Sequence, residues 1–234
     1  MQFYFWESPL WDDAGHTKYA EYYDDNGDID WERTEYTCPL CGQKLGPYFW
    51  KHPRKMTITT SKYADLLYGP LLMVVSERFK QAYEASGLTG ISAFEEIEAY
   101  KVQRRKKNDP PPGKYYTMSV VPAEVYLDLE NSRIDYLDEE PDVDEEPDSP
   151  ICPLCTPVNK SYCEIHKLAL NTDKWNGEDL FHVPALGGHL FASERFVQFI
   201  RDHQLTNFWF SKVEEYKFTF EFDHSMVFTP FDPK

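Results

Sequence analysis

Apolar positions along this chain fall in short runs rather than long helical stripes, and one arrangement of them occurs twice. Leu71-Leu72-Met73-Val74-Val75 is an unbroken apolar run that stops at Ser76-Glu77-Arg78-Phe79, and Leu190-Phe191-Ala192 stops at Ser193-Glu194-Arg195-Phe196. A short continuous run closed by polar residues reads as a strand. The segment after each run reads as a helix. Serine stands at the N-cap, glutamate sits in the first turn against the positive end of the dipole, and Phe79/Tyr83 and Phe196/Ile200 are apolar pairs at i, i+4. The third residue after each serine is phenylalanine, so no capping box is expected. Aligning Ser76 with Ser193 also lays Gln81 on Gln198 and Leu88-Thr89 on Leu205-Thr206; one gap later Glu98, Tyr100 and Lys101 fall on Glu214, Tyr216 and Lys217. The chain therefore contains an internal repeat. Phe94, Ile97 and Val102, and again Phe208, Phe210 and Val213, supply the exit strands. The predicted class is α+β: two similar strand-helix-strand halves, about residues 36–107 and 150–222, forming one intertwined, pseudo-duplicated domain over 1–234.

The remaining pattern fills in around the repeat. Residues 2–6 alternate around aromatics and read as a strand, Asp12 to Trp31 as a solvated excursion, and Met56 to Thr60 as a strand. Tyr63-Ala64-Asp65-Leu66-Leu67 reads as a short amphipathic helix. Pro110-Pro111-Pro112-Gly113 ends regular structure; Tyr115–Val121 and Val125–Leu137 read as strands, with Asn131-Ser132 a turn. Residues 138–150 are almost wholly Asp, Glu and Pro and read as a flexible acidic loop; from Phe218 the tail reads as a strand and a loose end.

Charge narrows the partners. The 234 residues carry a formal net charge of -16, which repels phosphate backbones and suits a cationic protein partner. Tyr and Phe number 16 each beside six Trp, enough for an aromatic core and aromatic anchors at a binding face. Met1–Glu7 has no basic region or cleavage site, and no apolar run approaches the roughly 18 residues of a membrane span. With five cysteines, an odd number, the expectation is a soluble cytoplasmic protein with reduced thiols.

Four of those cysteines lie in two identical tetrapeptides, Cys38-Pro39-Leu40-Cys41 and Cys152-Pro153-Leu154-Cys155. Together Cys38, Cys41, Cys152 and Cys155 supply the tetrahedral thiolate set of a structural Zn2+, which would clasp the two halves. A rival local set, Cys152, Cys155, Cys163 and His166, has spacing C-x2-C-x7-C-x2-H and leaves Cys38 and Cys41 over. A thiol redox role needs a helix after the motif, and Gly42, Gly46 and Pro47, or Thr156-Pro157, stand there instead. Ser76 and Ser193 read as caps rather than nucleophiles, since no nucleophile elbow surrounds them. His182, His189 and His203 lack metal or triad spacing and read as surface or partly buried residues. Arg104-Arg105-Lys106-Lys107 reads as a solvated basic loop that could pair with the acidic segment, and that segment as a polyanion able to steer a cationic partner.

These residues carry a resemblance. Cys38-Pro-Leu-Cys-Gly42, Gly69-Pro70 leading into Val74 to Phe79, Leu88-Thr89-Gly90, Cys152-Pro-Leu-Cys155, Trp175 to Phe181, Ser193 to Phe196, Leu205-Thr206-Asn207 and Glu214-Glu215-Tyr216 resemble the double-CXXCG motif family of myxobacterial immunity proteins, partners of toxins exchanged between sibling cells. The likeness runs from about residue 36 to 218. Thr156 stands where the second motif would have glycine, and the first thirty or so residues and the acidic loop carry no likeness. The resemblance implies a non-enzymatic protein that binds and neutralises a cognate toxin in the cytoplasm. The competing classes are a zinc-dependent or thiol redox enzyme and a nucleic-acid-binding zinc protein; the first needs an open coordination position or an activated thiolate, the second a basic face.

Overall fold

The computed structural model describes residues 1–7, 19–24, 31–33, 37–38, 40–42, 48–50, 55–69, 73–136, 162–183, 186, 189–220 and 226–227. In chain order the first elements are β1 (Phe3–Glu7), β2 (Tyr22–Asp24), β3 (Trp31–Arg33), β4 (Tyr48–Trp50), β5 (Lys55–Thr60), β6 (Leu66–Tyr68) and β7 (Met73–Ser76). Helix α1 (Glu77–Ser86) follows, then β8 (Ile91–Arg104), β9 (Tyr115–Val120), β10 (Tyr126–Leu127) and β11 (Arg133–Tyr136). The second part holds β12 (Tyr162–Lys167), β13 (Leu170–Asn171), β14 (Leu180–His182), β15 (Leu190–Ser193), α2 (Glu194–Asp202), β16 (Trp209–Lys212), β17 (Phe218–Phe220) and β18 (Met226–Val227). Among the described residues, mixed sheets with two α-helices make the class α+β, as expected.

Val74 and Val75 of β7 and residues 190–192 of β15 are buried on both faces of their strands; Leu71 and Leu72 lie outside the described residues. The larger sheet has order β2-β5-β8-β9-β7-β6, with β5 and β8 parallel and the other neighbours antiparallel; a second, antiparallel sheet has order β14-β15-β1-β16. One core cluster joins the two sheets through the helices: Leu66, Tyr68 and Val75 from the first, Trp6, Leu180, Leu190 and Ala192 from the second, and Phe79, Tyr83, Phe196, Phe199 and Ile200 from α1 and α2. The Phe79 ring lies 6.3 Å from Phe196 and 6.0 Å from Phe199, so the two helices meet ring to ring. The alternate strand residues feed separate clusters: Leu67, Val74 and Ile97 pack with Met56 and Ile58, while Phe5, Phe181 and Phe191 pack with Val125, Leu127 and Ile165. A strand covered on both sides needs no polar face, which is why the runs show no alternation. Val74, Val75, Leu66, Leu67 and Phe79 are all at 0 % exposure. Each such side chain contributes about 1.5–3 kcal/mol by leaving water.

The helices begin and end as their sequences dictate. Ser76 and Ser193 are extended N-caps whose hydroxyls accept the Phe79 and Phe196 N–H groups at 3.1 and 3.2 Å. Gly87 closes α1 in the left-handed region at φ 70°.

Strand registers repeat as well. Tyr116 of β9 stands between Val75 and Glu96, and Tyr4 of β1 stands between Ala192 and Lys212; Met118 faces Phe94 where Trp6 faces Phe210. The place that β9 takes beside β7 and β8 is thus taken beside β15 and β16 by the N-terminal strand.

The structure corrects three expectations. Residues 63–67 are not a helix: Asp65 sits in a bend and Leu66–Tyr68 is β6, paired with Met73–Val75, because a segment this short cannot meet the cost of a helical nucleus while its apolar residues bury on both sides as a strand. The excursion 12–31 contains β2, which pairs with Met56–Ile58 of β5. Val213 is the first residue of a 3-10 turn, Val213–Glu215, rather than part of the exit strand. The acidic loop 138–150 lies outside the described residues.

Candidate functional site

The Ser-Glu-Arg-Phe motifs converge on two nearly buried carboxylates. Asp65 stands just ahead of β6 and Asp179 just ahead of β14. The Ser76 hydroxyl donates to Asp65 Oδ1 at 2.8 Å, and the Ser193 hydroxyl to Asp179 Oδ1 at 2.7 Å. Arg78 Nη1 lies 2.9 Å from Asp65 Oδ2; Arg195 Nη1 lies 3.4 Å from Asp179 Oδ2. The remaining donors come from the other half of the chain. The Thr206 N–H and hydroxyl reach Asp65 Oδ2 at 2.9 and 3.0 Å, and the Thr89 N–H and hydroxyl reach Asp179 Oδ2 at 3.1 and 3.5 Å. Leu66 N–H donates to the Thr206 carbonyl and Leu180 N–H to that of Thr89, so each Leu-Thr turn is bonded to the opposite unit. A guanidinium and a set of short hydrogen bonds answer the desolvation of each carboxylate.

Each serine hydroxyl gives its hydrogen to a carboxylate and accepts a helix N–H, which commits it to a structural role. Arg78 also donates to the carbonyl of His203 at the end of α2, where a cation is favoured. Sequence reasoning missed Asp65 and Asp179. A signal was present: Asp-Leu-Leu-Tyr and Asp-Leu-Phe-His stand 11 and 14 residues before the two serines.

Of the expected metal ligands the structure describes Cys38 and Cys41. Cys38 is buried, Cys41 is exposed, and Leu40 between them is exposed at the tip. The Gly42 N–H donates to the Cys38 carbonyl at 2.9 Å with Gly42 at φ 75°, a tight closed turn that glycine allows. A turn of this form suits a two-thiolate half-site. Burial, then the charges of Glu124 and Cys38, pushes the Tyr126 hydroxyl up, which puts the turn beside β10. Cys152 and Cys155 lie outside the described residues, as does the side chain of Cys163.

His166 of the rival set has other neighbours. Its Nε2 is 2.9 Å from Asp135 Oδ2 and its Nδ1 is 3.3 Å from Glu164 Oε1, a cluster on β11 and β12 whose ligand atoms lie within 4.8 Å of one another. His182 is buried, and its Nδ1 lies 3.0 Å from the His189 carbonyl; burial pushes both imidazoles down to about 4. His203 is exposed at the C-cap of α2. The basic run ends β8 and enters an exposed turn. No helix among the described residues is long and apolar enough to cross a membrane.

The model of an immunity protein family, Imm11, matches residues 43–215. The chain belongs to the Imm11 immunity protein family. The stretch that makes this an Imm11 protein starts just past Gly42 and ends with the 3-10 turn, taking in both helices, both carboxylates, their threonines, and Cys152 and Cys155. Strand β1 and the turn holding Cys38 and Cys41 fall before it. This is the class of protein the motifs resemble. Among curated proteins nothing matches the chain.

Proposed function

We propose that this Imm11 protein is a non-enzymatic binder that neutralises a cognate bacterial toxin in the cytoplasm of the cell that makes it. The family match carries the reading. The net charge of -16 supports a toxin that is cationic overall, because a strong opposite field raises the rate of encounter before any contact forms. The crossed carboxylates and ring-to-ring helices support a stiff, preorganised body, which loses little entropy on binding. In this reading the body is one pseudo-duplicated domain in which each half supplies the threonine that its counterpart needs.

A structural Zn2+ completes the proposal. Cys38 and Cys41 would hold it together with Cys152 and Cys155, and it would join the N-terminal turn to the second half of the chain. An ion saturated by four thiolates has no open position for chemistry and contributes folding energy only.

The test is co-expression with the cognate toxin, sought first among the neighbouring genes. Restored growth and a one-to-one complex that weakens with salt are expected; cells that die despite soluble co-expressed protein would overturn the binder. For the ion, purified wild type should carry one zinc per chain and Cys152→Ser close to none. Equal metal content in the two would remove the four-cysteine site.

A further inference from the structure

One of the cation-rich stretches of this acidic chain is described throughout by the structure. The end of β8 and its connection to β9, residues 101–114, hold Lys101, Arg104, Arg105, Lys106, Lys107 and Lys114 against one carboxylate, Asp109. That carboxylate is committed to building the turn. Asp109 Oδ2 accepts the Ser61 hydroxyl at 2.5 Å and the Lys106 N–H at 2.9 Å, while its carbonyl accepts Arg105 Nε and Nη2 at 3.2 and 3.0 Å. The Tyr63 hydroxyl donates to the Pro110 carbonyl at 3.1 Å, which fastens the far side of the turn to the segment after β5. The Ser61 hydrogen bond and then the Lys106 N–H hold the Asp109 carboxyl below its ordinary range, so it stays ionised at neutral pH. Lys114 pairs with Glu96 at 2.8 Å. Arg104, Lys106 and Lys107 are exposed and enter no ion pair among the described residues.

A turn that is pinned in shape and presents Arg104, Lys106 and Lys107 to solvent, with Asp109 the one carboxylate within it, is arranged to meet an anion. The rest of the molecule decides which kind. A duplex or a lipid bilayer presents continuous negative charge, and seating it on the turn would bring the acidic body within a Debye length of about 8–10 Å. A compact acidic patch on a folded protein meets the turn without that repulsion. We propose that residues 104–107 are a docking surface for an acidic patch on the toxin, whose contact face therefore carries both signs: cationic opposite the acidic body and anionic opposite this turn. The inference rests on the immunity reading.

The test reverses three charges, Arg104→Glu, Lys106→Glu and Lys107→Glu, and keeps Arg105 because it holds the turn. Association with the cognate toxin identified by co-expression is measured at several salt concentrations, with circular dichroism and a urea midpoint to verify folding. The association rate should fall about tenfold or more at low salt. The same charge change at the exposed Lys167, Lys174 and Lys217, on other elements, should move it by no more than about twofold. An unchanged or faster rate for the turn variant, or an equal loss for the control, would overturn the inference while leaving the immunity reading intact. No complex with wild type at all would overturn both. Retardation of duplex DNA by wild type and not by the turn variant, at the salt used for the toxin, would assign the turn to nucleic acid instead.

Discussion

Asp65→Asn tests the crossed carboxylates most directly. The substitution keeps the volume of the side chain and replaces one acceptor oxygen by an NH2 donor. In either orientation that NH2 meets existing donors: the Ser76 hydroxyl at one oxygen, or the Thr206 N–H, the Thr206 hydroxyl and Arg78 at the other. Hydrogen bonds to a charged group contribute about 1.5–3 kcal/mol each, and leaving buried donors unanswered costs about 1–3 kcal/mol. The Arg78 side chain is 56 % exposed, so its ion pair adds under about 1 kcal/mol. A net loss of about 3 kcal/mol results, since the terms do not sum in full. With a urea slope of about 3 kcal/mol/M for a chain of this size, the midpoint should move down by about 1 M. Asp179→Asn should give nearly the same shift, because Ser193, Thr89 and Arg195 surround it in the same way. Thr206→Val combined with Asp65→Asn should lose less than the two single changes together, by about 1–2 kcal/mol. Midpoint shifts under about 0.3 M, or full additivity, would refute the view that these contacts join the two units.

Local geometry sets two further outcomes. At Gly90, φ is 114° and an added Cβ would lie 1.8 Å from the Leu180 carbonyl oxygen, so Gly90→Ala should cost about 3 kcal/mol or more, read as a lost thermal transition; Gly87→Ala, with open space around it, should cost about 1 kcal/mol. His182 and His189 ionise near about 4 when folded against 6.5 normally, so the unfolded chain binds more protons between those values. Stability is therefore full above about pH 6.5 and falls as pH drops towards 4, by up to about 3 kcal/mol per histidine; urea midpoints at pH 7.5 and 5 check this, and His182→Gln should flatten the slope.

The features legible in the sequence are local, and those hidden in it are pairings between distant segments. Both helices are readable because a serine cap, a first-turn glutamate and i, i+4 rings all lie within ten residues. Strand β6 escapes detection because Leu66-Leu67-Tyr68 is buried on both faces and so shows no period, leaving five residues that could pass for one amphipathic turn. Asp65 is silent for a related reason: its donors lie 11 and 141 residues away. His182, expected as a surface or partly buried residue, is enclosed by β15 and the Val121–Ala123 backbone, which no spacing of histidines could reveal. The basic run is on the surface as its composition implies, but its stiffness comes from Ser61, 48 residues before Asp109. The two identical Cys-Pro-Leu-Cys tetrapeptides stand out in the sequence, and of their four cysteines the structure describes Cys38 and Cys41.

The position of the N-terminal strand has a consequence for how the protein is made. Phe3 pairs with Ser193, and β1 fills the gap between β15 and β16. At about 5–20 residues per second, a ribosome delivers those partners roughly 10–40 s after the strand itself. Through that interval an aromatic segment, Phe-Tyr-Phe-Trp, has no sheet to enter, while β6, β7, α1, β8 and β9 can already assemble. The growing chain must therefore shelter residues 3–6 until residues 190–212 have been made.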